Sequence, residues 1–346
     1  MRTRTVALSL LLPAMLLAGC TDDEPPSSPS SSPSLPSPSS PSSPAVTTAP
    51  TSSPSGLAAP STDRASGVVS VDTGGTQVLG LAVTDGAIWA VSYDTSTLVR
   101  IDPVTNTVDA SVEVPGGASV AALPSGLWVA AYGDPGHLYK IDPDTATIEL
   151  TADVGDLCCD LSEGAGLVWA LDRSGTAIGV GPESGIVDVS LPVELDLNAH
   201  NNVVFAGGYV WVSSDTTPLF RIDPDTGERT AFDVRGGVPF LARGGRLWGA
   251  SATELWAVDA ETGDVVRRLP LPDSEEVMAL TIEGGRAWVG LRHLGGVGAV
   301  VEVDLSSGEV LREVPVDIPA RIEPALGSAW VSDSGSSLVL RILPQE

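Results

Sequence analysis

LAVTDGAIWAVSYDTSTLVRIDPVTNTVDASVEV, residues 81–114, contains one complete unit of a pattern that the chain repeats. Leu81 stands eight positions before Trp89 and Gly86 three before it. After the tryptophan an apolar run ends in Ile101-Asp102-Pro103, and Thr107 to Val114 supplies a last extended segment. The unit reads as four short strands separated by Gly, Pro and Asp turns, with no helical periodicity. Tryptophan is the ruler for the remaining copies. Trp89, Trp128, Trp169, Trp211, Trp248, Trp288 and Trp330 are spaced by 39, 41, 42, 37, 40 and 42 residues, and only Trp256 falls outside the series. Gly86, Gly166, Gly208, Gly245, Gly285 and Gly327 precede their tryptophans by three, and Gly126 is displaced by one. Val120, Leu161, Val203, Phe240, Leu280 and Ile322 match Leu81. Ile141-Asp142-Pro143, Ile222-Asp223-Pro224, Val258-Asp259-Ala260 and Val303-Asp304-Leu305 repeat the turn.

Four strands cannot bury both faces of a twisted sheet, so such units must stack face to face, and radial stacking closes a ring. The expected fold is all-β: a seven-bladed β-propeller of four antiparallel strands per blade, over residues 65–346. The ends support closure. The seventh unit has only three strands, and the missing outer one stands before the first unit, at about 67–73. Pairing the two removes the exposed edges. The Asp-Pro turns read as turn formers whose carboxylate accepts backbone N–H bonds, not as a calcium loop.

Tryptophan followed by Ala or Val, then Ile-Asp-Pro-x-Thr, resembles the YncE/YVTN-type propeller repeat proteins, and more distantly virginiamycin B lyase and NHL-like propellers. The resemblance is specific for fold and weak for function, since propellers host many unrelated activities.

Residues 1–19 read as a signal peptide, with Arg2 and Arg4 before a short apolar core. Leu17-Ala18-Gly19-Cys20 resembles the lipobox of bacterial lipoproteins, which implies cleavage before Cys20 and diacylation of its thiol. From Cys20 to residue 64 the chain is dominated by Ser, Pro and Thr, a composition expected to stay extended and disordered. The formal charge is −26, and −28 once Arg2 and Arg4 are removed. Nucleic acid is excluded as a partner, because binding it requires neutralising phosphates with Lys and Arg. The expected contacts are the membrane, through the anchor on the extracytoplasmic side of the cell membrane, and a small molecule or an envelope protein. The protein is expected to be monomeric.

The repeat tryptophans are spread around the ring and read as packing between blades. Function is sought in departures from the repeat on the face where the inner strands begin. Nine residues before the tryptophan, most blades carry a small or apolar residue such as Gly80, Pro239 or Ala279, but three carry Asp160, Asn202 and Arg321. With Cys158, Cys159, His200, Asn201, Arg292, His293 and Glu323 around them, these are the candidate ligand-binding residues. The adjacent Cys158 and Cys159 leave two outcomes open, a vicinal disulfide or two buried thiols. No catalytic residue, metal ligand set or cofactor is expected, for no known catalytic motif is present. The leading expectation is a non-enzymatic binding or interaction module. The alternative is a metal-assisted lyase or hydrolase resembling virginiamycin B lyase; that resemblance implies His200 or His293 as base, with Asp160, Glu163 or Glu323 nearest to hand as the metal-binding acid.

Overall fold

The computed structural model of the chain describes residues 57–345 except 64–66, 134, 194, 196–200, 236, 238 and 294–297, and the side chains of Cys159 and Arg235 are likewise not described. The expected signal peptide, Cys20, most of the linker and His200 therefore lie outside the described residues. Among the described residues there is no helix, and seven antiparallel sheets follow one another around a ring. Six have four strands from consecutive sequence. The seventh is closed by the N-terminal strand Val68–Asp72, which pairs with Leu338–Ile342 in the register Val68↔Ile342 to Asp72↔Leu338. Both the blade count and the closure are as expected. One strand is not: Ser61–Asp63, inside the stretch read as linker, pairs with Val68–Asp72 as a fifth, exposed strand. Its Ser-Thr-Asp composition carries no apolar signal because only its backbone is used.

Local chemistry sets each turn. The hairpins into the tryptophan strands place Gly207-Gly208, Gly244-Gly245, Gly284-Gly285, Ala165-Gly166 and Leu326-Gly327 at positive φ in both residues. That is the conformation a two-residue hairpin needs to match strand twist, and it explains the glycine three before the tryptophan. In the Asp-Pro turns, the Oδ1 atoms of Asp102, Asp142, Asp223, Asp259 and Asp304 each accept the N–H groups two and three residues on. Hydrogen bonds hold all five carboxyls below the usual carboxylate range: Asp142 chiefly through the Thr145 hydroxyl, Asp304, at about 2, chiefly through that of Ser306, and Asp102, Asp223 and Asp259 chiefly through backbone N–H groups. The turn-forming role read from the sequence is what these aspartates perform.

Each repeat tryptophan packs onto the following blade. Trp330 lies against Ile88, Ala90 and Val99 of blade one, Trp89 against Leu127 and Val129 of blade two, and Trp128 against Val168 and Ala170 of blade three. Six of the seven are at most 3% exposed. Beside these indoles runs a feature the sequence reading missed. In blades one, two, four and seven the cross-strand partner of the tryptophan is Arg100, Lys140, Arg221 or Arg341, and its cation lies 5.1–6.0 Å from the ring. The same side chains reach the next blade's turn. Arg100 donates to the Pro143 and Asp144 carbonyls, Lys140 to Glu183, Arg221 to the Glu261 carbonyl and Arg341 to the Pro103 carbonyl. Arg229, Arg267 and Arg312 bridge the three remaining seams by donating to the carbonyls of Val193, Ser306 and Leu343.

Replacing Arg341 by Ala removes a cation–ring contact and bonds to Pro103 and Asn106 across the closing seam. The expected loss is about 2 kcal/mol in urea unfolding. Arg268→Ala, which breaks only an exposed pair with Glu254, should cost under about 0.5 kcal/mol. Equal effects would remove the seam role assigned to Arg341.

Candidate functional site

The inner strands Gly117–Leu123, Leu157–Gly164, Asn201–Ala206 and Pro319–Ala325 belong to blades two, three, four and seven. Each places its residue nine before the tryptophan on the central channel: Ser119, Asp160, Asn202 and Arg321. The four side chains meet on the carboxylate of Asp160. Its Oδ1 accepts the Ser119 hydroxyl at 3.0 Å and pairs with the Arg321 guanidinium, and its Oδ2 accepts Asn202 Nδ2 at 2.9 Å. Asn202 also donates to the Phe240 carbonyl at 3.3 Å and accepts the N–H of Val203 at 2.7 Å, so it is fixed from both ends. The Arg321–Asp160 pair joins blade seven to blade three across the ring. In blade one the equivalent position is Gly80, where a Cβ would come within 2.9 Å of the Val120 nitrogen, so no side chain fits.

This cluster divides the channel. Toward the face where the inner strands begin lies a cavity of about 470 Å³, floored by Ser119, Asp160, Asn202 and Arg321. Its walls are largely apolar, with Leu79, Ala118, Leu195, Pro239 and Met278, and its rim carries Tyr132 and Arg173. Arg173 lies over the Tyr132 ring and pairs with Asp156 at 3.3 Å. Toward the turn face lies a second cavity of about 540 Å³, which shares Ser119, Asp160 and Arg321 and adds Glu163, Arg243, Glu283 and Glu323. Glu163 is held by the Ser125 N–H at 2.9 Å and hydroxyl at 2.7 Å. Glu323 lies two residues from Arg321 on the same strand, hence on the same side of it. By surface exposure it is only half-buried, yet it sits deep in a narrow channel, and desolvation dominates. Burial pushes its carboxyl up to about 7, against the opposing guanidinium groups of Arg321 and Arg243.

Of the residues singled out from the sequence, Asp160, Asn202 and Arg321 come into direct contact, with Glu323 in the cavity beyond them. Cys158 and Asn201 line the cavity on the other side. Cys158 is disulfide-bonded, whereas the side chain of Cys159 and all of His200 lie outside the described residues. Arg292 is drawn away instead: it pairs with Glu276 at 2.6 Å, its cross-strand neighbour, and neither it nor His293 lines a channel cavity. His137 is bonded to Asp153 at 2.9 Å and lines neither of these two cavities. Among the described residues no three His, Cys, Asp or Glu side chains are placed to hold a metal. The sequence reading missed Ser119, although it occupies the same repeat position as Asp160. A lone serine there reads as one more small residue until its partner is known.

Asp160→Ala leaves the Arg321 cation without its counter-ion and should cost about 3 kcal/mol in denaturant unfolding. Adding Arg321→Met should recover most of it; no recovery would show that the two side chains are not coupled. Glu323 gives a pH signature. Its folded value of about 7 exceeds its ordinary 4.5, so the folded form binds more protons between those limits. Its stability contribution is therefore complete below about pH 4.5 and lost as pH rises to 7. Glu323→Gln should remove that slope, a difference on the order of 1–3 kcal/mol between pH 4.5 and 8. Parallel curves for the two proteins would overturn the assignment.

No family model matches the chain, and no curated protein matches it in sequence. Among solved structures 1475 chains match, so the architecture is widely shared and does not select a function. The crystal structure of the computationally designed Ika8 protein is similar at a TM-score of 0.59 and 12% identity, covering 79% of this chain and 99% of that one. At that identity the likeness shows the fold alone, a β-propeller.

Proposed function

We propose that the chain is a non-enzymatic binding module, displayed outside the cytoplasm on a lipid anchor, whose ligand enters the cavity above the channel cluster. The observation that carries this reading is the meeting of Ser119, Asp160, Asn202 and Arg321, from four separate blades, as the polar floor of a cavity of about 470 Å³ whose walls are largely apolar. Apolar walls with a few convergent polar groups are what small-molecule sites require. The fitting ligand is a small organic molecule, or the loop tip of an envelope protein, with a polar head toward Arg321 and Asn202 and an apolar body against Leu195, Pro239 and Met278. The Asp160 and Glu163 carboxylates are already held by neighbouring donors, which favours recognition over acid–base chemistry. The lipobox-like Leu17 to Cys20 and the Ser/Pro-rich segment support display on a stalk.

Two measurements test the parts separately. Cys20→Ser should move the protein from the membrane to the soluble fraction, and unchanged partitioning would remove the anchor. A thermal-shift screen of small amphipathic organic molecules should yield compounds that stabilise the wild type. Met278→Trp fills the cavity and should abolish that stabilisation, whereas Arg268→Ala should retain it. Compounds that stabilise the filled variant equally would place binding elsewhere.

A further inference from the structure

A second binding position stands at the seam of blades six and seven, on the turn face, where it shares only Glu283 with the channel cavity. In blades one, two, four and seven a cation lies over the repeat tryptophan. Blades three and five lack that cation but cover the indole otherwise: Phe205 stacks on Trp169 at 6.3 Å, and Leu305 packs into the cluster around Trp248. In blade six, Trp288 packs on the blade-seven cluster of Ala329 and Ile342 but, among the described residues, has no cation over it. Trp288 faces Glu302 across the strand pair and is the one repeat tryptophan left partly exposed. Among the described residues none of the cation–ring contacts falls on it. Against that indole lies a groove of about 550 Å³ lined by Trp288, Glu302, Arg286, Leu311, Ser328 and Ile342, whereas the corresponding groove at the seam of blades one and two is lined by Arg100 and does not reach Trp89. Glu302 is 5% exposed, and one of its oxygens is paired with Arg286, whose side chain is 54% exposed.

We infer that this groove receives a lysine or arginine side chain from a partner protein, which takes the place that Arg100, Lys140, Arg221 and Arg341 fill within the ring. An indole face attracts a cation, and a desolvated carboxylate beside it strengthens the attraction. Leu311 and Ile342 offer apolar surface to the methylene stem. The formal charge of −26 favours a basic partner. Recognition here is independent of the channel site, and loss of one leaves the other intact.

The test follows the Trp288 indole N–H in ¹H–¹⁵N spectra of the whole protein, assigned with Trp288→Phe, during titration with N-acetyl-arginine amide, N-acetyl-lysine amide and neutral N-acetyl-norleucine amide. The two cationic probes should shift that signal saturably in the millimolar range, and the shift should weaken with added salt. The neutral probe should not move it. Glu302→Gln should weaken binding about fivefold or more. Arg286→Ser, an exposed change that frees the carboxylate, should tighten it severalfold. Because Arg286→Ser alters only an exposed side chain and keeps the Glu302 carboxylate, it decides the matter even if Glu302→Gln fails to fold. No shift at Trp288, an equal shift with norleucine amide, or unchanged binding in Arg286→Ser would each overturn the inference.

Discussion

Everything in this molecule depends on the contact between a tryptophan of one sheet and the apolar face of the next. A four-stranded sheet has two faces and no helix to cover either, so each blade is stable only as a neighbour. Trp89 on Leu127 and Val129, or Trp330 on Ile88 and Ala90, converts seven such sheets into one continuous core. Because the contact runs in one direction around the ring, there is no terminal blade that must be made polar. The strand Val68–Asp72 removes the single interruption.

The cations explain an asymmetry of composition. A chain with 18 Lys and Arg against 44 Asp and Glu commits seven of those cations to its seams, donating to carbonyls or to Glu183 of an adjoining blade. The guanidinium groups of Arg100, Arg221 and Arg341 satisfy turn carbonyls and lie against indoles at once, a double use that arginine geometry suits. Five more cations, Arg173, Arg268, Arg286, Arg292 and Arg321, are paired with carboxylates. The acidic residues instead crowd the turns, where the aspartates are held by their own backbone.

The repeat was legible because its signals are local and periodic: a glycine the hairpin needs, a tryptophan, an aspartate before proline. The position nine before the tryptophan was legible for a related reason, since a charge there departs from a pattern that packing alone would keep small. Neither logic shows which departures touch. Asp160 and Arg321 are 161 residues apart and meet only because the ring brings blade three opposite blade seven. Arg292 departs as visibly but is consumed by Glu276 beside it on the neighbouring strand. Three of the seam cations had a signal too: Arg100, Lys140 and Arg221 stand immediately before Ile-Asp-Pro. A cation beside a turn reads as solvated until the adjoining blade is in place.

The manner of closure has a consequence for the order of assembly. Val68 and its partner Ile342 are 274 positions apart, so the first long strand of the ring to be synthesised must wait for nearly the last. Until then a hydrogen-bonding edge stands open at each end of a growing stack, and either could zip to a second unfinished chain. Pairing of such sequence separation slows the final step. The short, polar Ser61–Asp63, laid along the outside of the closing strand, would leave that edge with little apolar surface to offer an intruder.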